Sequence, residues 1–229
     1  MKALVLAVAA LLSALPAVAQ VGHEPARSPY VDLEYTQELT PMFGYMRARH
    51  DPAGIAPQSA PLVGLRYELN LAGPLALSSD LSRTFSQRTV LDPSRPATTR
   101  TLGVKNAAVY TADLALALNL TGRKSWHNLV PQVRGGVGLV RSDAADDSSG
   151  FSFGTPFAFS VGGGLKFVPA KGRLQVRADV TDRIFKLTYP ATYYQFASDK
   201  TAVLPATTAN KFYTHHTALT VGVSYLFAR

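Results

Sequence analysis

The residues ALTVGVSYLF, Ala218 to Phe227, alternate without a break. Leu219, Val221, Val223, Tyr225 and Phe227 share one face of an extended chain, and Ala218, Thr220, Gly222, Ser224 and Leu226 share the other. Successive side chains of a strand point to opposite faces, so this stretch reads as a strand between two unlike environments. Alternation over about ten residues is the pattern of a strand that crosses a membrane within a closed barrel.

The same pattern recurs upstream. It predicts strands near 41–49, 62–71, 75–86, 107–120, 128–141, 156–168 and 173–185, with the eighth at 215–227. The first of these is too short and too cationic to display the full alternation. The links at 50–61, 87–106, 142–155 and 186–214 are long and rich in Pro, Ser, Thr, Asp and Ala; those at 72–74, 121–127 and 169–172 are short. Long and short links alternate, as they do where long extracellular loops and short periplasmic turns join the strands of an up-and-down barrel. The expected fold is therefore all-β: an eight-stranded antiparallel transmembrane β-barrel over 41–229.

Ahead of the barrel, residues 1–19 read as a signal peptide: Lys2, an apolar run from Ala3 to Leu12, and Ala17-Val18-Ala19 as the cleavage site. The run is short of the ~20 residues that a helical span needs, and no other segment reaches that length. Residues 20–40 are expected either to extend the first strand into the periplasm or to lie beneath the barrel. The chain has no cysteine, so an exported fold must be held by backbone pairing and packing. Its formal net charge of +8 becomes +7 without Lys2. No basic helix or RNA-binding motif accompanies that charge, which excludes nucleic acid as the expected partner and favours anionic lipid headgroups.

Composition gives the alternation its direction. A soluble ligand-binding barrel would put its apolar face inward and crowd its polar face with Lys, Glu and Thr. Here the polar face is small, with Gly136, Gly138, Ala158, Ser160, Gly162 and Gly164. The opposite face is large and apolar, with Tyr110, Leu114, Leu116, Leu118 and Leu120 on one strand and Phe157, Phe159, Val161, Leu165 and Phe167 on another. In water it would form an apolar patch beyond what soluble monomers carry, so it is expected to face lipid. Arg66, Glu68, Asp80, Asp113, Arg134, Lys166, Arg177 and Asp179 then point into the lumen. Four acids and four bases in so narrow a space are expected to pair as an ion network, because an unpaired buried charge is costly. A proton or ion path through the same residues is the sharper alternative.

These features resemble the small outer-membrane β-barrel family that includes the OmpA transmembrane domain and the OmpX-type proteins. The resemblance covers roughly 41–227 and rests on the eight-strand pattern, on LTPMFGYM at 39–46 and on LTVGVSYLF at 219–227. It implies the Gram-negative outer membrane, the barrel-assembly machinery as a partner, and no particular activity. One departure is the end, where Ala228 and Arg229 follow Phe227, whereas many relatives finish on the aromatic residue that the machinery reads.

Enzymes also exist on this scaffold, notably lipid A acyl-modifying barrels. His215 and His216 are the candidate bases, but Thr214 and Thr217 replace a serine nucleophile and no acid stands at a convincing spacing. Trp126, beside His127 on a short turn, reads as an interfacial anchor. In the second long loop Arg88, Arg95, Arg100 and Lys105 are candidate lipopolysaccharide contacts, with Lys200 and Lys211 adding charge in the fourth. Asp143, Asp146 and Asp147 lack the ordered spacing of a calcium loop. Tyr189, Tyr193, Tyr194 and Phe196 read as an upper aromatic girdle, or as a contact surface for a partner. The expectation is a monomeric, non-enzymatic barrel without metal or cofactor that stabilises the envelope or presents its loops for contact. A lipid A or phospholipid-modifying enzyme and a narrow ion-conducting barrel are the alternatives.

Overall fold

The computed structural model describes residues 28–144, 151, 153–169 and 172–227. The signal-peptide reading of 1–19, the aspartates 146 and 147 and the two C-terminal residues lie outside them. The strands are β1 (Tyr30–Asp32), β2 (Gln37–Ala48), β3 (Ala60–Ala72), β4 (Leu75–Thr84), β5 (Gln87–Leu91), β6 (Thr101–Asn119), β7 (Lys124–Trp126), β8 (Leu129–Ala144), β9 (Phe157–Phe167), β10 (Leu174–Thr188) and β11 (Lys211–Phe227). Eight of them form an antiparallel ring in the order β2-β3-β4-β6-β8-β9-β10-β11, and β11 pairs back onto β2. Closure leaves the ring no open edge, so its strands are held by backbone pairing in a chain without disulfides.

Each of these eight strands lies where alternation predicts one, but several run further. β2 begins at Gln37 rather than 41, β6 at Thr101 rather than 107, and β11 at Lys211 rather than 215. The added lengths fall mostly at the long-loop end. There the loop expected at 87–106 is a hairpin, in which β5 pairs with the start of β6 around a turn holding Pro93 and Pro96. Pro41 sits inside β2 without breaking it. The β2–β11 ladder skips Thr40 and Pro41, where a backbone donor is missing, and the Thr40 and Ser224 hydroxyls join at 2.7 Å instead.

Ser28 to Thr36 lies across the short-turn end of the barrel. β1 pairs with β7 through Tyr30–Trp126, Val31–Ser125 and Asp32–Lys124. Within the described residues, 37–40 lengthen the first barrel strand, and the stretch before it forms a strap under the mouth. Trp126 lies in β7, half exposed, with the His127 ring edge-on at 4.8 Å.

Alternation orients the faces as composition predicts. Phe43 is 64% exposed, Leu116 52% and Val161 55%, while inward neighbours such as Ala115 and Ala158 are buried. Tyr67, Tyr225 and Phe227 cluster outside the short-turn end, and Tyr45, Phe85, Tyr110 and Tyr213 are exposed towards the loop end. Large apolar side chains between two aromatic belts are what a lipid-facing surface requires.

Candidate functional site

The interior has two layers of different chemistry. The lower and middle layers are ionic. All eight charges assigned to the lumen from sequence are buried there, and Glu38 and Arg183 join them. The sequence reading misses these two. Glu38 precedes the expected start of the first strand, although it shares the parity of Met42 and Gly44. Arg183 lies inside its expected strand at the parity of Arg177 and Asp179, so parity alone could have found it.

Along the wall, Arg66 stands opposite Asp80 on β3 and β4, but three other pairs of neighbours carry like charge. Glu38 stands opposite Glu68 on β2 and β3, Lys166 opposite Arg177 on β9 and β10, and Asp80 opposite Asp113 on β4 and β6. Side by side these pairs repel. The ring closes them onto one another across the lumen. Arg177 Nη1 lies 2.5 Å from Glu38 and 3.3 Å from Glu68, and Lys166 contacts Glu68 and, at 3.2 Å, Glu38. Arg177 also grips Asp179 in a bidentate pair at 2.9 and 3.0 Å. Asp179 meets Arg66 at 2.9 Å, Arg66 and Arg134 both bind Asp80, and Arg183 donates to Asp113 at 2.6 Å. Gln132 donates to Glu68 at 2.9 Å and accepts from Arg177 at 3.0 Å. Glycine provides the room: a Cβ on Gly138 would strike the Asp113 carboxylate, and one on Gly164 the Asp179 carboxylate.

Beneath this network, the strap and the barrel mouth enclose a cavity of about 290 Å³, lined in part by Glu34, Glu38, Asn119, Lys166 and Gln175.

The upper layer is apolar. Val109, Val140, Ala158, Phe185 and Leu187 point inward near the loop end. Ile55 and Ala56 from the first long loop, Phe151 and Phe153 from the third, and Tyr189, Tyr193 and Leu204 from the fourth pack onto them as one core. This corrects the girdle reading of the fourth loop. Tyr189 and Tyr193 are buried and stacked at 6.0 Å, Tyr194 packs against the core, and Phe196 is 77% exposed. The Tyr189 hydroxyl donates to Asp51 at 2.6 Å and accepts from the Ala53 amide at 3.3 Å, tying the fourth loop to the first. Burial and the Asp51 bond hold that phenol well above its usual range.

The candidate lipopolysaccharide contacts divide. Arg88 and Arg100 are buried, and this corrects their assignment. Arg88 lies over the Phe151 ring at 4.8 Å and donates to the Ile55 carbonyl. Arg100 directs its donors at the Arg95, Thr201 and Ala202 carbonyls and the Thr201 hydroxyl, stapling the second loop to the fourth. Their charge satisfies loop carbonyls that the core would otherwise strand. Arg95, paired with Asp92 at 3.0 Å, and Lys105 are exposed.

The histidines face opposite ways. His216 points inward, buried and edge-on to Phe185 at 4.7 Å. His215 points outward, and here register supplies the acid that chain spacing hides. Asp182 on β10 lies 2.7 Å from His215 Nδ1 and accepts from the Thr217 hydroxyl at 3.0 Å. The carboxylate sits between imidazole and hydroxyl, whereas a hydrolytic triad has the imidazole in the middle.

No protein-family model matches the sequence, and no curated protein does. The fold is similar to that of neisserial surface protein A, with a TM-score of 0.52 at 13% identity over 83% of this chain and 97% of that one. It is equally similar to the outer membrane protein OprG of Pseudomonas aeruginosa, with a TM-score of 0.52 at 14% identity over 85% of this chain and 97% of that one. A closed, eight-stranded antiparallel β-barrel of the small outer-membrane type, resembling these proteins in fold at low sequence identity, is what this chain forms.

Proposed function

We propose that this protein is an exported, monomeric outer-membrane barrel without enzymatic activity, whose role is carried by its outer end: a rigid loop cap that stabilises the envelope or meets a surface partner. One observation carries this reading. The lumen is occupied by a ten-charge network below, and above it the loops fold into an apolar core continuous with the barrel wall. An eight-stranded barrel is only wide enough for its own side chains, and these fill it. Loops held by the Arg100 staple and the Tyr189–Asp51 bond form a fixed surface, and a fixed surface binds with little ordering cost. Planar-bilayer recording of the refolded protein tests the closed interior. No stable unitary conductance is expected, and a large steady one would refute the reading. Replacing the fourth-loop tip at 195–202 by a short Gly-Ser link, followed by envelope-permeability and adhesion assays, tests the role of the cap.

A lipid-modifying enzyme is the second reading, favoured by the outward Asp182–His215 pair. His215→Ala in cells, followed by mass spectrometry of lipid A and phospholipids, separates the two. A lost acyl modification would favour the enzyme.

A further inference from the structure

At mid-height in the lumen, guanidinium groups outnumber the carboxylates left for them. Arg66 and Arg134 both bind Asp80, and Arg183 reaches Asp113. Asp179 is gripped by Arg177 in a bidentate pair and meets Arg66 only at its edge, at 2.9 Å. Arg134 holds Asp80 and the Ser78 hydroxyl through Nη2 alone. Its Nε and Nη1 are buried and bond to no group among the described residues. Arg183 bonds to Asp113 through Nε alone, at 2.6 Å.

Register brings these spare donors to one place. On β9, Ser160 stands opposite Arg183 of β10 and Gly136 of β8, and the next inward position, Gly162, stands opposite Arg134 of β8. The Ser160 hydroxyl is buried and, among the described residues, also without a partner. Gly136 and Gly162 put no side chain into the lumen beside it. Asp113 Oδ1 is an acceptor without a partner, but it is turned onto the β8 wall at Gly138. The spare hydrogen-bonding capacity around Ser160 is therefore donating, and its charge is positive. A buried donor left unmade is costly, and a charged one most of all. Water offers such donors a lone pair but no charge, whereas an anion answers the donors and the local excess of guanidinium together. A lumen filled by its own side chains admits nothing larger than one small ion.

We infer that the lumen binds one halide ion, chloride in its natural setting, between Arg134 and Arg183, with the Ser160 hydroxyl donating to it from the wall. The site depends on ring closure and register alone and holds whatever the outer cap meets. An ion placed there bridges β8, β9 and β10, so the stability of the barrel becomes halide-dependent.

The test refolds the full-length barrel into detergent micelles in sodium bromide or in sodium gluconate at equal ionic strength, so that the ion is enclosed as the ring closes. Crystals of the bromide form, with anomalous diffraction at the bromine edge, are expected to show one peak in the lumen that touches Ser160 Oγ, Arg134 and Arg183. Thermal unfolding, read from the shift between folded and unfolded gel bands, should move up by about 3–6 °C at ten times the half-saturating bromide concentration. Ser160→Ala should raise that concentration about tenfold, as expected for a lost bond to a charged group. Arg134→Lys keeps a cation against Asp80 but removes the two spare donors, and should abolish the peak. Ser82→Ala, whose hydroxyl is already paired with Thr111, should change neither reading. Water alone at the position, an adventitious ion only on the outer surface, or equal stabilisation by gluconate overturns the proposal. An unchanged half-saturation in Ser160→Ala does the same, and that series decides the matter even where Arg134→Lys does not refold.

Discussion

Glu68→Gln isolates what the lumen network contributes to stability. Glu68 is fully buried and faces Lys166 and Arg177 from across the barrel. At an effective dielectric constant near 20, the Arg177 contact at 3.3 Å is worth about 5 kcal/mol gross, most of it spent on taking both charges out of water. Glutamine keeps the shape and removes the charge, leaving five buried bases against four buried acids. Lys166 then retains Glu38 at 3.2 Å, and Arg177 retains Glu38 and Asp179. Breaking one partner of such a set is expected to cost about 3–5 kcal/mol. Lys166→Met in the same chain restores neutrality, so the double variant should lose less than the two single losses together, by about 1–3 kcal/mol. Urea unfolding of the refolded barrel in lipid vesicles, followed by the shift between folded and unfolded gel bands, measures all four corners of the cycle. A loss below about 1 kcal/mol for Glu68→Gln, or strict additivity in the double variant, would refute cross-lumen pairing as the physical role of these charges.

Three further outcomes are expected. Leu116→Arg places a cation on the lipid face near mid-height and should cost about 2–4 kcal/mol in the same assay; a barrel that tolerates it in bilayers would reverse the assigned direction of the faces. Phe185→Ala removes a ring at the centre of the cap core and should cost about 3–5 kcal/mol, with loop proteolysis accelerating before the strands melt. Bonds from the Thr201 hydroxyl and from the Ala97 and Thr201 amides hold the exposed Asp199 carboxyl down at about 2. Its unfolded value is near 3.9, so this link between the second and fourth loops is complete above about pH 4 and is lost as pH falls through 2. The Ala97 amide shift should therefore titrate near 2, and a midpoint near 4 would show that the link does not form in solution.

The sequence by itself determined the number of barrel strands, their faces and the side on which eight charges lie. These follow from a two-residue backbone repeat and from the contrast between Leu116 and Ala115, or Phe159 and Ser160, which any window of ten residues contains. The tertiary structure alone decided who meets whom. Asp182 is 33 residues from His215 in the chain and reaches it only because β10 and β11 are in register. Glu68 and Lys166 are 98 residues apart and join across a lumen that exists only once β11 closes on β2. Arg100 reads from the sequence as a lipopolysaccharide contact until three carbonyls of folded loops surround it. Local periodicity is written in the backbone geometry of each strand, whereas register, closure and loop packing are properties of the whole ring, and the pairings that depend on them form only with it.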